Sequence, residues 1–157
     1  MHMRMAVAIA GAALLAGCQP AQFDPDDPDD PAAIATIDSI VQSMMAGARE
    51  VNAGQVLSGA APDVTFITGD IMLSGLETLR ARFEETYAGL TSQDQTIIDR
   101  RIRLVSPDVA LVTAVGEGTY TDKAGWTSDT VGIGTTLVFV REDGAWRVRH
   151  AHQSIAY

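Results

Sequence analysis

Cysteine is almost absent. Cys18 is the only one in 157 residues, so no internal disulfide can form, and a redox thiol or a thiolate metal site would lack the second sulfur. No apolar run reaches the roughly 20 residues that a membrane-spanning helix needs. The longest, Met5 to Ala16, stops well short of that. Basic residues are also in short supply: 11 Lys and Arg stand against 20 Asp and Glu. The resulting net charge of −9 repels phosphate backbones and argues against nucleic acid as a partner. The length is typical of one folded domain, and a second is not expected.

What is present begins with a targeting segment. Arg4 supplies the charge of a short n-region and Met5 to Ala16 its apolar core. Leu15-Ala16-Gly17-Cys18 then resembles the lipobox of bacterial lipoproteins, in which small residues fit the peptidase and the thiol accepts diacylglycerol. That resemblance implies a signal peptide over residues 1–17 and a lipidated Cys18 as the mature N-terminus. Each buried acyl methylene contributes about 0.8 kcal/mol, so several chains anchor the protein to the membrane for good. Gln19, not Asp, follows the cysteine; by the enterobacterial sorting rule this implies the periplasmic face of the outer membrane. Residues 18–31 are rich in Pro and Asp, with Asp24, Asp26, Asp27, Asp29 and Asp30 carrying about half of the negative excess. Such a stretch buries no core and reads as an extended tether; its prolines deny calcium a closed oxygen cage.

The domain is expected over residues 32–157. Asp30-Pro31 is a helix start, and Ile34, Ile37, Val41, Met44, Ala48 and Val51 follow at steps of three and four, with Gly54 as the stop. Asp38, Gln42, Arg49 and Glu50 should face water. Val64 to Ile67 reads as a strand, and Gly69-Asp70 as a turn toward a second helix. Ser74-Gly75-Leu76-Glu77 reads as its capping box and Leu76, Leu79, Phe83 and Tyr87 as its buried face. The rest reads as a meander. Ile98, Arg100, Ile102 and Leu104 share one face of a strand, Val109 to Tyr120 and Trp126 to Arg141 follow, and Trp146 to Tyr157 closes the chain. Helices first and antiparallel strands after is the α+β pattern. Thr136 to Val140 is apolar on both faces, and a second copy of the domain is the economical cover, giving an isologous homodimer.

The ending Arg141-Glu142-Asp143-Gly144-Ala145-Trp146-Arg147-Val148-Arg149-His150-Ala151-His152-Gln153-Ser154 resembles the terminal strand of SnoaL-like domains of the nuclear transport factor 2-like superfamily. The order of elements before it agrees. The resemblance implies a cone, a strongly bent antiparallel sheet wrapped about N-terminal helices with a pocket at its wide end. Its members include isomerases, cyclases, dehydratases and assembly domains, so the fold alone does not settle function. Laid onto the ketosteroid isomerases of this superfamily, Thr68 falls where the catalytic base stands and Gly47 where the tyrosine stands, and both functional groups are missing.

Strict alternation puts Trp146, Val148, His150, His152 and Ser154 on one face, so His150 and His152 are expected in the pocket. Ser154, Trp126, Tyr120 and Asp70 complete the candidate lining. Two imidazoles could shuttle a proton with Asp70, or share a metal with Asp70 or Glu117; residues i and i+2 on one strand supply only two ligands, and histidines hydrogen-bonded in a wall or seam are the plainer reading. No metal and no cofactor are expected. The arginines Arg100, Arg101 and Arg103 read as solvated or paired, and Met44 and Met45 as helix packing. The preferred function is a non-catalytic binding module for a small apolar or amphipathic molecule. Its rivals are an isomerase, cyclase or dehydratase using Asp70 with His150 or His152, and an assembly domain that binds another envelope protein.

Overall fold

The computed structural model describes residues 30–156, so Cys18 and nearly all of the tether lie outside the described residues. Helix α1 (Pro31–Arg49) starts where Asp30-Pro31 predicts: the Asp30 carboxylate accepts hydrogen bonds from the amides of Ala32 and Ala33 at 3.0 and 3.1 Å. Ile37, Val41 and Ala48 are buried as expected, whereas Asp38 does not simply face water but forms an ion pair with Arg100. The helix stops before Gly54. Val51 takes a left-handed φ of 47°, and Asn52 caps a one-turn helix α2 (Ala53–Val56) that contains that glycine. Gly47 is what lets the two helices touch, since a Cβ there would stand 2.7 Å from the Val56 amide nitrogen.

Strand β1 (Ala60–Thr68) does not lead straight into the next helix. It turns through Gly69-Asp70 into a short antiparallel strand β2 (Ile71–Ser74) that sequence patterning missed. Consequently the expected capping box is not formed. Ser74 stays in β2, and Gly75 caps helix α3 (Leu76–Tyr87) with φ 87°, ψ 139° and no side-chain bond. Its amide instead donates to the Val64 carbonyl at 2.8 Å, and a glycine suits that positive φ. Leu79 and Tyr87 are buried and Phe83 partly so, as the spacing of α3 predicts.

Four long strands follow: β3 (Leu90–Ser106), β4 (Val109–Asp122), β5 (Val131–Glu142) and β6 (Ala145–Ala156). β3 begins well before Ile98, and β5 begins after Trp126, which sits in a loop. The six strands order as β2-β1-β6-β5-β4-β3, with β1 parallel to β6 and every other pair antiparallel. The sheet curves around the helices and is not closed, the α+β cone that the resemblance implies. Its inner face carries Leu104, Ala110, Val112, Leu137, Phe139, Trp146 and Val148, which pack on Ile37, Val41 and Val64.

Two irregularities of this sheet decide where side chains point. In β3, Ile97 pairs with Gly116 and Asp99 with Val115, so Ile98 is an inserted residue and turns to solvent, 66% exposed, instead of joining Arg100, Ile102 and Leu104. In β6, Val148 pairs with Phe139 and His150 with Val138, so Arg149 is inserted in the same way. An inserted residue flips every side chain beyond it to the other face and bends the strand.

Candidate functional site

At the wide end of the cone the helices and the inner face of the sheet enclose a cavity of about 550 Å³. Helix α1 contributes Val41, Met44 and Met45, and α3 contributes Leu79 and Phe83. The strands add Val64, Phe66, Val112 and Leu137. Met44 and Met45 are thus cavity wall as well as helix packing; unbranched thioethers adapt to irregular occupants. A chain of rings, Phe66 to Phe83 at 5.8 Å and Phe83 to Tyr87 at 5.7 Å, backs one side. Neutral polar groups come from Thr68, Tyr87, Gln93, Gln95, Thr135 and Gln153, and charged ones from Arg82 and Glu117.

The two histidines are not in this lining. The bulge at Arg149 inverts β6, so that beyond it Ala151, Gln153 and Ile155 face the cavity. His152 and Ser154 line a shallow groove on the opposite face with Asp99, Arg101, Thr113 and Thr136. His150, which pairs with Val138, follows the same parity. The single shared face expected for Trp146 through Ser154 is therefore corrected: only Trp146 and Val148 point into the core. Arg149 is fixed at the bulge by two carboxylates, Asp63 at 2.9 Å and Glu142. The pattern does carry a trace of this inversion, because apolar positions run at 146, 148, 151 and 155, and the step of three breaks the period of two.

Asp70 is exposed in the turn between β1 and β2, outside the lining, so it does not meet His150 or His152 across the cavity. Tyr120 pairs in register with the lining residue Gln93 but stays outside the lining itself, and stacks edge-on with Trp126 at 5.8 Å. Trp126 is 57% exposed, its amide held by the Asp122 carboxylate at 2.9 Å. Thr68 does line the cavity, whereas the place of Gly47 is closed by α2, which leaves no room for a tyrosine. Among the described residues no three His, Cys, Asp or Glu side chains are grouped to hold a metal ion. Residues that sequence reasoning passes over are Gln93, Gln95, Gln153 and Phe66, while Tyr87, expected as core with its hydroxyl at the edge of a cavity, is buried and lines it. Burial pushes the Tyr87 phenol from 10.0 up to about 12.

The sequence model of the family described as "SnoaL-like domain" matches residues 37–157. No curated protein matches the chain. Solved structures do. An NTF2-like protein of unknown function from Pseudomonas putida superposes with a TM-score of 0.69 at 18% identity, over 80% of this chain and 87% of that one. The hexachlorocyclohexane dehydrochlorinase LinA-type3 from Novosphingobium barchaimii gives 0.73 at 16% identity, over 83% and 91%. A putative calcium/calmodulin dependent protein kinase II association domain from Xanthomonas campestris gives 0.62 at 26% identity, over 83% and 89%. Structures described as a dehydrochlorinase and as a putative association domain thus share this fold.

Proposed function

Because the chain belongs to the family of SnoaL-like domains, which builds many activities on one cone, we propose from its site that it binds a small apolar or amphipathic molecule without transforming it. The observation that carries this reading is the cavity of about 550 Å³, a size and apolar character typical of small-molecule sites, without an Asp70–histidine pair turned into it. The enzyme reading built on Asp70 with His150 or His152 loses its support, since those groups do not share the cavity. Native mass spectrometry of the full chain purified from its own host tests the proposal. A released small molecule is expected, and it should be lost when Ala151→Phe fills the cavity. Retention that survives the filling would place the molecule elsewhere and overturn this reading.

The assembly around this cavity is part of the proposal. The outer face of the sheet carries Ile98 at 66%, Val115 at 53% and Val105 at 48% exposure, beside the half-buried Val138 and Val140. Apolar surface of this kind favours a second copy, giving a homodimer. Val138→Glu should then yield monomers by light scattering, while a variant that stays dimeric removes this face as the interface. The same protein is proposed to be held by Cys18 at the periplasmic face of the outer membrane, the Pro/Asp stretch acting as spacer. Cys18→Ser should move it to the soluble fraction with its folding intact.

A further inference from the structure

The exposed apolar side chains of this acidic protein are not scattered. Among the described residues eight large ones are exposed, and five of them, Ile71, Met72, Tyr120, Trp126 and Ile155, stand at the wide end of the cone. Ile71 and Ile155 line the cavity and are each 40% exposed, so they form part of its mouth. Met72, 67% exposed, follows Ile71 in β2. Tyr120 pairs with the lining residue Gln93, and Trp126 rests edge-on against it.

The aromatic corner is fixed by its own loop. The Asp122 carboxylate accepts from the amides of Ala124 and Trp126 at 2.8 and 2.9 Å, and the Trp126 carbonyl accepts from the Asp122 amide. The Ser128 hydroxyl accepts from the Tyr120 amide at 3.1 Å, and the hydroxyls of Thr121 and Thr127 bond to each other at 3.0 Å. This network holds an indole in water, where it gains the fold little, because apolar surface stabilises only when it leaves water. A ring already fixed in place has less freedom to lose in a contact with something else. Rings with an apolar body and a polar tip are the kind that settle at the headgroup level of a bilayer.

Opening, reach and charge point to lipid as the cover of this rim. The apolar residues lie around the mouth of a cavity, which a protein cap would shut and a bilayer can supply. A fully extended chain as long as that from Cys18 to Asp30 spans about 40 Å, against roughly 28 Å for helix α1. Asp30 lies at the narrow end beside Arg141, so that reach lets an anchored protein turn its wide end to the membrane. The cations at the rim are Arg82, paired with Glu85 at 2.8 Å, and Lys123, and they face the exposed carboxylates of Asp70 and Glu117. With a net charge of −9 overall, such a rim suits zwitterionic headgroups and is repelled by anionic ones.

We infer that the wide end of the cone seats on the zwitterionic lipid face of the membrane through Ile71, Met72, Ile155, Tyr120 and Trp126. The inference rests on the proposed anchor at Cys18. An apolar occupant then meets the mouth of the cavity without crossing water.

The full chain from its own host, reconstituted by its anchor into phosphatidylcholine vesicles with brominated acyl chains, tests this. Bromine quenches an indole only at close range, and of the two tryptophans Trp146 is held in the core at 6% exposure. Emission of the wild-type chain should fall about twofold relative to unbrominated vesicles, and Trp126→Phe should show almost none of that fall. Met72→Glu should weaken the quenching about threefold while the protein stays with the vesicles and keeps its urea midpoint. Replacing about a third of the lipid with brominated phosphatidylglycerol should halve the quenching, roughly, at low salt. An anchored wild-type chain without quenching, or quenching that survives Trp126→Phe or is unchanged by Met72→Glu, overturns the docking while the anchor stands. Quenching indifferent to phosphatidylglycerol overturns the choice of zwitterionic headgroups. A chain that washes off the vesicles shows that Cys18 holds no anchor and overturns this inference with it.

Discussion

The narrow and wide ends of the sheet are built from the same strands, yet one is filled and the other hollow. In β5, Phe139 and Leu137 are buried, and two residues earlier along the same face Thr135 and Ile133 are only half-buried and border open space. In β6 the change is sharper: Trp146 and Val148 close the core, and past the Arg149 bulge Ala151 and Gln153 stand back from it. The lesson is that the strands set the enclosure, while side-chain volume and an inserted residue decide how much of it remains empty.

The most severe way to test that contrast is to truncate matched positions. Phe139→Ala removes a side chain with 0% exposure and should cost about 3–5 kcal/mol in urea denaturation. Ile133→Ala, on the same face at the cavity, should cost about 1 kcal/mol, because its environment is already incompletely packed. Equal losses would mean that the two ends are packed alike.

A smaller effect comes from Tyr87, in the wall of the cavity. Its folded pKa of about 12 exceeds the ordinary 10.0, so between those values the unfolded chain has released a proton that the folded chain keeps. Stability should therefore be intact below pH 10 and fall as pH rises toward 12, by about 2–3 kcal/mol at most. Tyr87→Phe should lack that part of the alkaline loss, and parallel declines for the two proteins would sink the prediction.

At the narrow end, Asp30→Ala removes the cap of α1 and should cost about 1 kcal/mol, read from the denaturation midpoint. Its contact with Arg141, 3.6 Å away and partly exposed, adds little. Smallest of all, Thr135→Val at the cavity should change stability by less than about 0.5 kcal/mol. A larger change in either direction would show that the threonine hydroxyl is committed to the fold and not available to an occupant.

Much of the architecture was legible before the structure. The Asp30-Pro31 start, the buried face of α3 and the turn at Asp143-Gly144, where φ is 49° and 78°, follow from local chemistry. Less local features were not legible. β2 is only four residues long, and the glycine cap of α3 replaces a serine box because the Gly75 amide reaches across to Val64. The site suffered most, since the faces of β3 and β6 depend on the inserted Ile98 and Arg149, and the only local sign of either is the apolar step of three from Val148 to Ala151.

By itself, then, the amino-acid sequence determined the class of fold, the order of its elements, the start of the first helix and the apolar character of the interior, because each of these is set by residues within a few positions of one another. Only the tertiary structure decided which residues face the cavity. A bulge is chosen by how a long strand must bend over the helices and by the carboxylates of Asp63 and Glu142 that hold Arg149, and these contacts join positions far apart in the chain.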